Sequence, residues 1–179
     1  MANPEIISTK TVYKGRVFDV QLAEIREGDA EYRREIVVHH GSCVIVPVFA
    51  DNTIALVKQY RHAAQKYLLE IPAGTLEENE SPEDGAKREV EEEIGVVARK
   101  IEKLTEFYVS PGFLTEKMHV FLATDLEETK QNLDADEFIK IEKFTFPQVF
   151  QMIKNGEIED AKTIAGAILA GVKFGYIYK

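Results

Sequence analysis

Acidic side chains are concentrated in one short segment of the 179-residue chain, residues 74–96. The segment holds nine acidic residues against two basic ones, so it carries −7 of the chain's net charge of −9. Three of its glutamates, Glu89, Glu92 and Glu93, are three or four positions apart and would share one face of a helix. Carboxylate oxygens are the ligands that Mg²⁺ and Mn²⁺ prefer, and substrate phosphates often complete such sites. The spacing therefore predicts either a cation site that handles phosphates or a solvated acidic helix face.

A helix is predicted over residues 82–94 because both of its ends carry sequence signals. Ser81 can accept a hydrogen bond as the N-cap, and Pro82 suits the first helical position. Gly95 suits the left-handed position that follows a helix. Apolar residues recur every fourth position between these ends and would face the core. They are Ala86, Val90 and Ile94.

The elements that must position this helix are mostly strands in the first half of the chain, and further strands and two more helices in the second half. Apolar alternation and apolar runs predict strands over 17–22, 35–38, 42–49, 54–57, 104–109, 118–123 and 138–144. Two further helices are predicted over 147–155 and 160–178. Strands mixed with three helices indicate an α/β domain in which helices cover a mixed sheet.

Composition limits the classes of partner. Hydrophobic residues make up 45% of the chain and charged residues 30%, as in ordinary soluble domains. The acidic balance argues against nucleic-acid or membrane-surface binding. A single cysteine excludes an internal disulfide and suits a reducing compartment, and the first residues lack the basic and apolar stretches that would predict a signal peptide. We therefore expect a cytoplasmic protein with no nucleic-acid or membrane partner.

The clustered glutamates belong to a longer pattern. Gly74 is followed after five residues by Glu80, and after seven more by Arg-Glu-Val-Glu-Glu-Glu-Ile-Gly-Val at 88–96. This string resembles the Nudix box at every fixed position. Seven such identities arise by average residue usage at about 10⁻⁸ per starting position. The resemblance favours the cation site over the solvated face.

The resemblance implies both a fold and a chemistry. Nudix enzymes use divalent metal to hydrolyse a nucleoside diphosphate that is linked to another moiety. Their fold is an α/β/α sandwich, and Mg²⁺ is the implied cofactor, with Mn²⁺ as a substitute. Arg88 and Glu80 are implied to hold the helix to its loop. The implied metal ligands are the carboxylates of Glu89, Glu92 and Glu93 and the backbone carbonyl of Ala73, with Glu92 also counted as catalytic.

A second resemblance narrows the substrate. The stretch Ser-Pro-Gly-Phe-Leu-Thr-Glu at 110–116 begins fifteen residues after Gly95, and its placement is similar to that in the ADP-ribose pyrophosphatase branch. Stretches at 33–37, 57–61, 69–74 and 160–163 agree with that branch. The implied reaction converts ADP-ribose to AMP and ribose 5-phosphate. The implied substrate-binding residues are Arg33, Arg34, Arg61, Gly112 and Glu116.

The branch also implies a general base on a late loop, which here is residues 133–138. Three carboxylates compete for this role. Glu137 is favoured because it directly precedes an apolar strand, with Asp136 and then Asp134 behind it. The alternative is that the loop is a solvated turn.

The resemblance divides the chain into residues 1–40, a β arm that pairs across a homodimer, and residues 41–179, the Nudix hydrolase domain. Two other functions stay open. One is a broader nucleoside-diphosphate-sugar hydrolase, for example one acting on GDP-mannose. The other is a binding regulator that has the Nudix fold but no catalysis, which the complete set of box glutamates disfavours.

Overall fold

The computed structural model describes residues 3–135 and 137–177. It divides the chain into two compact units. The first comprises Met1–Gly41 and Phe107–Met118, and the second comprises Ser42–Glu106 and His119–Lys179. The division into an arm over 1–40 and a hydrolase domain over 41–179 stays a prediction. In the structure, the first unit also takes in residues 107–118.

The first unit contains a three-stranded antiparallel sheet. Its strands are β1 (Glu5–Lys14), β2 (Asp19–Glu27) and β3 (Ala30–Val38), in the order β1-β2-β3. Gly28, at φ 61°, supplies the left-handed conformation in the two-residue turn between β2 and β3. A later segment joins β3, because the Val37 N–H donates to the Phe113 carbonyl (2.7 Å) and the Thr115 N–H donates to the Val37 carbonyl (3.0 Å).

The remaining strands form two sheets. They are β4 (Ser42–Pro47), β5 (Thr53–Arg61), β6 (Lys66–Glu70), β7 (Ala73–Thr75), β8 (Val96–Tyr108), β9 (Lys117–Glu128) and β10 (Lys140–Thr145). One sheet has the order β7-β4-β9-β8, and the other has the order β10-β5-β6. Together with the helices, these sheets confirm the predicted α/β class and the separate N-terminal sheet.

In the described part of the second unit there are three helices: α1 (Pro82–Ile94), α2 (Phe146–Asn155) and α3 (Ala161–Lys173). The bounds predicted for α1 are confirmed: the Ser81 hydroxyl accepts from the Asp84 N–H at 3.1 Å, and Gly95 has φ 66°. The prediction that the last helix runs to residue 178 was wrong. It ends at Lys173 and is followed by Gly175 at φ 73°, a conformation that helices do not continue through.

The core of the second unit lies between α1 and the strands. The apolar stripe of α1 is buried, with Ala86 and Val90 fully so and Ile94 6% exposed, which confirms the face predicted for it. The continuous apolar run in β4 is buried along its whole length. Within the residues that the structure describes, no helix is both long enough and apolar enough to cross a membrane.

Candidate active site

Two of the α1 glutamates are buried despite their charge. Glu89 is 8% exposed and Glu93 is 3% exposed, whereas the Glu92 side chain is 33% exposed. Carboxylates are rarely buried to this extent unless something offsets the lost hydration. The shared face predicted from their spacing is therefore divided into an inner pair, Glu89 and Glu93, and an outer residue, Glu92.

The loop that precedes α1 meets the inner pair at β7. Strand β7 is paired antiparallel to β4, with Gly74 opposite Cys43. A Cβ atom on Gly74 would lie 1.8 Å from Oε1 of Glu89 and 2.0 Å from its Cδ. The Ala73 N–H donates to Oε2 of Glu93 at 3.2 Å. Glycine at position 74 is what allows the backbone and the Glu89 carboxylate to occupy adjacent space.

Arg88 links the loop to the helix. Its Nε and Nη2 atoms donate to the two carboxylate oxygens of Glu80, at 2.9 and 3.0 Å. Its Nη1 atom donates to Oε1 of Glu89 at 2.6 Å and to Oε2 of Glu92 at 2.9 Å. One guanidinium thus clamps the loop and also offsets part of the charge on two of the helix glutamates.

The electrostatics of the inner pair favour a nearby cation. Burial raises the pKa of Glu93 to about 8, and the negative charges of Glu89 and Glu137 add to this rise. Burial also raises the pKa of Glu89, although the charge of Arg88 opposes the rise. Both shifts have the same main physical cause, which is that burial removes the hydration that stabilises an ionised carboxylate.

The donor set fits a hard divalent cation in its chemistry. It offers buried carboxylate oxygens next to the backbone at Gly74, where the absence of a side chain leaves room for the Glu89 carboxylate. Among residues 3–135 and 137–177, however, no group of three or more His, Cys, Asp or Glu side chains is arranged closely enough to hold a metal ion. In this arrangement Arg88 bridges two of the predicted ligands, Glu89 and Glu92.

Glu137 lies on the late loop, and its negative charge acts on two glutamates of α1. It raises the pKa of both Glu89 and Glu93. Its backbone N–H donates to the Asp134 carbonyl at 3.0 Å, and the Asp134 N–H donates to its carboxylate at 3.2 Å. Asp136, the second candidate base, lies outside the described residues. The choice of Glu137 stays a prediction.

A cavity of about 590 Å³ adjoins Glu137. Aromatic and basic side chains meet there, including Tyr67, Phe138 and Lys58. Phe138 is 81% exposed, which is unusual for a large apolar ring. The remaining lining residues are Leu133, Ile139 and Lys140.

Arg61 is held at the end of β5 by a carboxylate that the sequence analysis did not single out. Its Nε and Nη2 atoms donate to the two carboxylate oxygens of Glu70, both at 2.7 Å. The charges of Arg61 and Glu93 act on each other's pKa, so the guanidinium lies near the inner pair. The signal that could have revealed Glu70 is one acidic residue inside the apolar stretch 68–73.

In the first unit, Arg34 and Gly112 line a cavity of about 520 Å³. The Arg34 guanidinium lies 4.3 Å from the centre of the Tyr32 ring. Arg33 does not line this cavity, and its Nε donates across the sheet to Glu24 at 2.6 Å. The other lining residues are Ile36, Tyr108, Pro111, Phe113, Leu114 and Thr115.

The last predicted substrate residue, Glu116, belongs to the same unit. Its Oε1 atom lies 3.9 Å from Nδ1 of His39, and both side chains are largely buried. The structure thus places the predicted residues in two sets. Arg34, Gly112, Glu116 and Arg33 are in the first unit, and Arg61, Ala73, Glu89, Glu92, Glu93 and Glu137 are in the second.

Comparison with proteins of known fold supports the same architecture. The crystal structure of an ADP compounds hydrolase matches with a TM-score of 0.84, over 98% of this chain and 96% of that one. At 21% sequence identity, this likeness shows a shared fold.

Sequence comparison identifies the family. An ADP-ribose pyrophosphatase of Bacillus subtilis is 42% identical over 88% of this chain and 86% of its own length. A methanol dehydrogenase activator of Bacillus methanolicus is 37% identical over 88% of this chain and 87% of its own. A GDP-mannose pyrophosphatase of Escherichia coli is 34% identical over 70% of each chain. Since the NUDIX domain model also matches residues 39–166, the chain belongs to the Nudix family.

Proposed function

We propose that this protein hydrolyses the pyrophosphate bond of ADP-ribose to give AMP and ribose 5-phosphate. The observation that carries the proposal is the buried pair Glu89 and Glu93 beside Gly74, inside a complete Nudix box. The choice of ADP-ribose as substrate is supported by a relative named ADP-ribose pyrophosphatase. That relative is 42% identical to this chain, and the match covers 86% of its length.

Nudix hydrolases generally need a divalent metal ion. We assign Mg²⁺ to this chain, with Mn²⁺ as a substitute, because the donors are carboxylate and carbonyl oxygens. Such an ion, when bound, neutralises the diphosphate and lowers the pKa of a water molecule. The proposed ligands are Glu89, Glu92, Glu93 and the Ala73 carbonyl.

The other residues have proposed roles in moving a proton or holding the substrate. Glu137 accepts the proton of the attacking water, which is supported by its charge acting on Glu89 and Glu93. Arg61 donates to a substrate phosphate from its position near Glu93. Arg34 and Gly112 contact the substrate in the first unit, where they line one cavity. Arg33 and Glu116 are assigned to the same substrate-binding set.

Two alternatives are each favoured by one relative. The GDP-mannose pyrophosphatase favours a broader hydrolase of nucleoside diphosphate sugars. The methanol dehydrogenase activator favours a role in regulating another enzyme. The box glutamates that catalysis requires are all present, which argues against a regulator that has lost catalysis.

A substrate panel with product identification tests the proposal. The purified protein is incubated with ADP-ribose, GDP-mannose, UDP-glucose, NADH and diadenosine polyphosphates, with Mg²⁺ and with EDTA. We expect ADP-ribose to give the highest kcat/KM, with AMP and ribose 5-phosphate as products and no turnover in EDTA. A higher kcat/KM for GDP-mannose would select the first alternative. Absence of turnover on every substrate would overturn hydrolysis altogether.

We also propose a cytoplasmic homodimer in which the N-terminal arm pairs with a second copy. What supports the dimer is that every residue of β1 is exposed in the single chain, including Ile6 at 58% and Val12 at 50%. Light scattering at micromolar concentration should give twice the chain mass of 20.3 kDa. The Ile6→Lys/Val12→Lys variant should be monomeric, whereas Ile168→Lys, an exposed apolar position on α3, should not change the mass. A monomeric wild-type protein would refute the dimer.

A further inference from the structure

We propose that Arg61, Glu70, Lys162 and Asp160 form a charged row, largely buried beyond Arg61, in which the last three residues position Arg61 for the substrate phosphate. The inference rests on the proposed function in one respect, which is that Arg61 contacts the substrate. Nothing in the row other than Arg61 is expected to touch the substrate. Glu70, Lys162 and Asp160 are therefore positioning residues.

The row begins with a two-point contact between Arg61 and Glu70. Two parallel N–H···O bonds of 2.7 Å fix the plane of the guanidinium as well as its position. Glu70 is 1% exposed, whereas the Arg61 side chain is 41% exposed. The contact thus anchors the buried side of Arg61 and leaves its other side accessible.

The β5–β6 hairpin explains how the two residues meet. In the antiparallel register, Arg61 is opposite Lys66 and Glu70 is opposite Val57. Positions 57 and 61 on β5 are four residues apart, so they share a face with Glu70. The Arg61 side chain must therefore lie along that face towards Glu70 instead of extending past the end of the strand.

The start of α3 supplies the rest of the row. The Lys162 ammonium donates to Oε2 of Glu70 and, at 2.9 Å, to Oδ1 of Asp160. The other oxygen of Asp160 accepts from the Thr163 N–H at 3.0 Å, as the N-cap of α3. The Thr163 hydroxyl accepts from the Ile71 N–H at 2.8 Å, which ties α3 to the chain just after β6.

The charges of the row balance. Two cations alternate with two anions, and Lys162 and Glu70 are 10% and 1% exposed. Burial alone would raise the pKa of Glu70, but the Arg61 hydrogen bonds and the Lys162 charge outweigh it and hold the pKa below its usual value. Glu70 therefore stays ionised at neutral pH and can hold both cations.

The contact with Glu70 uses two of the five N–H groups of Arg61. In the described part of the chain, Arg61 donates no other hydrogen bond, so three N–H groups remain for a ligand. Its charge acts on Glu93, so it lies near the proposed metal ligands. Because Glu70 has already fixed the side chain, little rotamer freedom is lost when a phosphate binds.

The test separates an effect through Arg61 from a general structural effect. KM and kcat are measured for wild type, Glu70→Gln, Arg61→Ala and the double variant. A side-chain amide cannot accept the same two bonds with a negative charge, so we expect Glu70→Gln to raise KM about tenfold with little change in kcat. In the Arg61→Ala background, the same change should add nothing to KM. Additive effects, or a fall in kcat alone, would overturn the proposal.

Glu159→Gln is the matched control. It removes the exposed ion pair between Glu159 and Lys66, which lies on the same strand as Glu70. KM and kcat should both stay at the wild-type values. A rise in KM equal to that of Glu70→Gln would show that any charge removed near the hairpin has the effect, and would reject the buried row.

A readout that does not depend on activity distinguishes failure of this inference from failure of the proposed function. With ¹⁵N-labelled arginine, the Arg61 Nε–H of wild type should exchange slowly with water, and that of Glu70→Gln should exchange fast. If Glu70→Gln does not fold, Lys162→Met provides the second variant, and its Arg61 Nε–H should exchange faster than in wild type. Unchanged exchange in the folded variants would refute the positioning role, even if no sugar nucleotide is hydrolysed.

Discussion

Glu93 is a carboxylate held almost out of water, at 3% exposure, close to two other negative side chains. Isolated buried charge is costly, and the rise of its pKa to about 8 expresses that cost. In the protein without metal, this residue works against stability. The proposed role of Glu93 as a metal ligand would explain why a carboxylate is kept at this position.

Replacing this carboxylate by an amide should separate activity from stability. We expect Glu93→Gln to lower kcat by roughly 10²–10⁴-fold, because one charged ligand is lost. In EDTA above pH 8, where the Glu93 carboxylate is ionised, the melting temperature of the variant should not fall, because an uncompensated buried charge has been removed. Steady-state kinetics and thermal melting measure both. Glu91→Gln, at an exposed position of the same helix, is the control and should match wild type. Near-normal kcat in Glu93→Gln at saturating Mg²⁺ would refute the assignment.

A substitution at Gly74 has a different expected outcome. The atoms that an added Cβ would meet belong to the flexible end of the Glu89 side chain. The added methyl group in Gly74→Ala would lie 1.8 Å from Oε1 of Glu89, and that carboxylate can move away at small cost. We expect activity to fall at least tenfold while the free energy of unfolding changes by less than about 1 kcal/mol. In a Glu89→Gln background, the same change should reduce activity no further. Independent, multiplying losses would contradict this explanation.

The site residues that could be predicted from the sequence are those that lie close together along the chain. Glu89, Glu92 and Glu93 share one helix, so their spacing alone brings them to one face. Glu70 and Lys162 are 92 positions apart and meet only through the packing of α3 against the hairpin. No short-range pattern encodes such a contact. For the same reason, the sequence named Arg61 but not the group that holds it.

At the scale of elements, the predicted bounds were accurate where the residues at both ends of an element are typical start and stop signals. Helix α1 has a serine cap, a proline and a glycine at its ends, and its bounds were predicted to the residue. Strands β1, β6 and β7 were not predicted. Strand β7 is three residues long, and β6 is five, so neither contains enough alternation to be recognised. Strand β1 is exposed throughout and has no buried face to impose a pattern.

The packing of α3 on β4 gives an element-scale prediction. A Cβ on Gly166 would lie 2.6 Å from Cδ1 of Ile71 and 3.0 Å from Cγ2 of Val46, both fully buried side chains. Alanine favours the helix by about 1 kcal/mol, but overpacking costs about 1–3 kcal/mol. We expect Gly166→Ala to lower the free energy of unfolding by about 1 kcal/mol, measured in urea.

Removing Cδ1 of Ile71, the atom nearest to the added Cβ, should restore stability to Gly166→Ala. Ile71→Val deletes Cδ1, so Gly166→Ala/Ile71→Val should be at least as stable as Gly166→Ala alone. Ile71→Val by itself should be destabilised by about 0.5–1.5 kcal/mol. If the two losses simply add, the close approach at Gly166 is not what limits stability.

At the scale of the whole molecule, the net charge of −9 is mostly local, since −7 of it lies in residues 74–96. Two or three divalent ions would offset about four to six of these units. The charge therefore coincides with the segment that we propose to bind metal, and it says little about the rest of the surface.

This concentration of charge predicts that metal stabilises the whole fold. Mg²⁺ at about 100 times its dissociation constant should raise the melting temperature by about 5–10 °C relative to EDTA. The reason is that the folded state gathers carboxylates that the unfolded chain disperses. The rise should vanish in Glu89→Gln/Glu93→Gln and persist in Glu91→Gln. An equal rise in all three proteins would indicate ion binding elsewhere.

Strand β1 has one neighbour, β2, among the described residues, so one edge of the three-stranded sheet presents ten residues of backbone. Such an edge can pair with any exposed strand, and in concentrated solution it is a template for aggregation. Lys10 and Lys14 on this strand oppose uncontrolled pairing, because like charges repel when identical chains align in register. The same two lysines would make a parallel pairing of two β1 strands unfavourable, and they leave the antiparallel arrangement as the tolerated one.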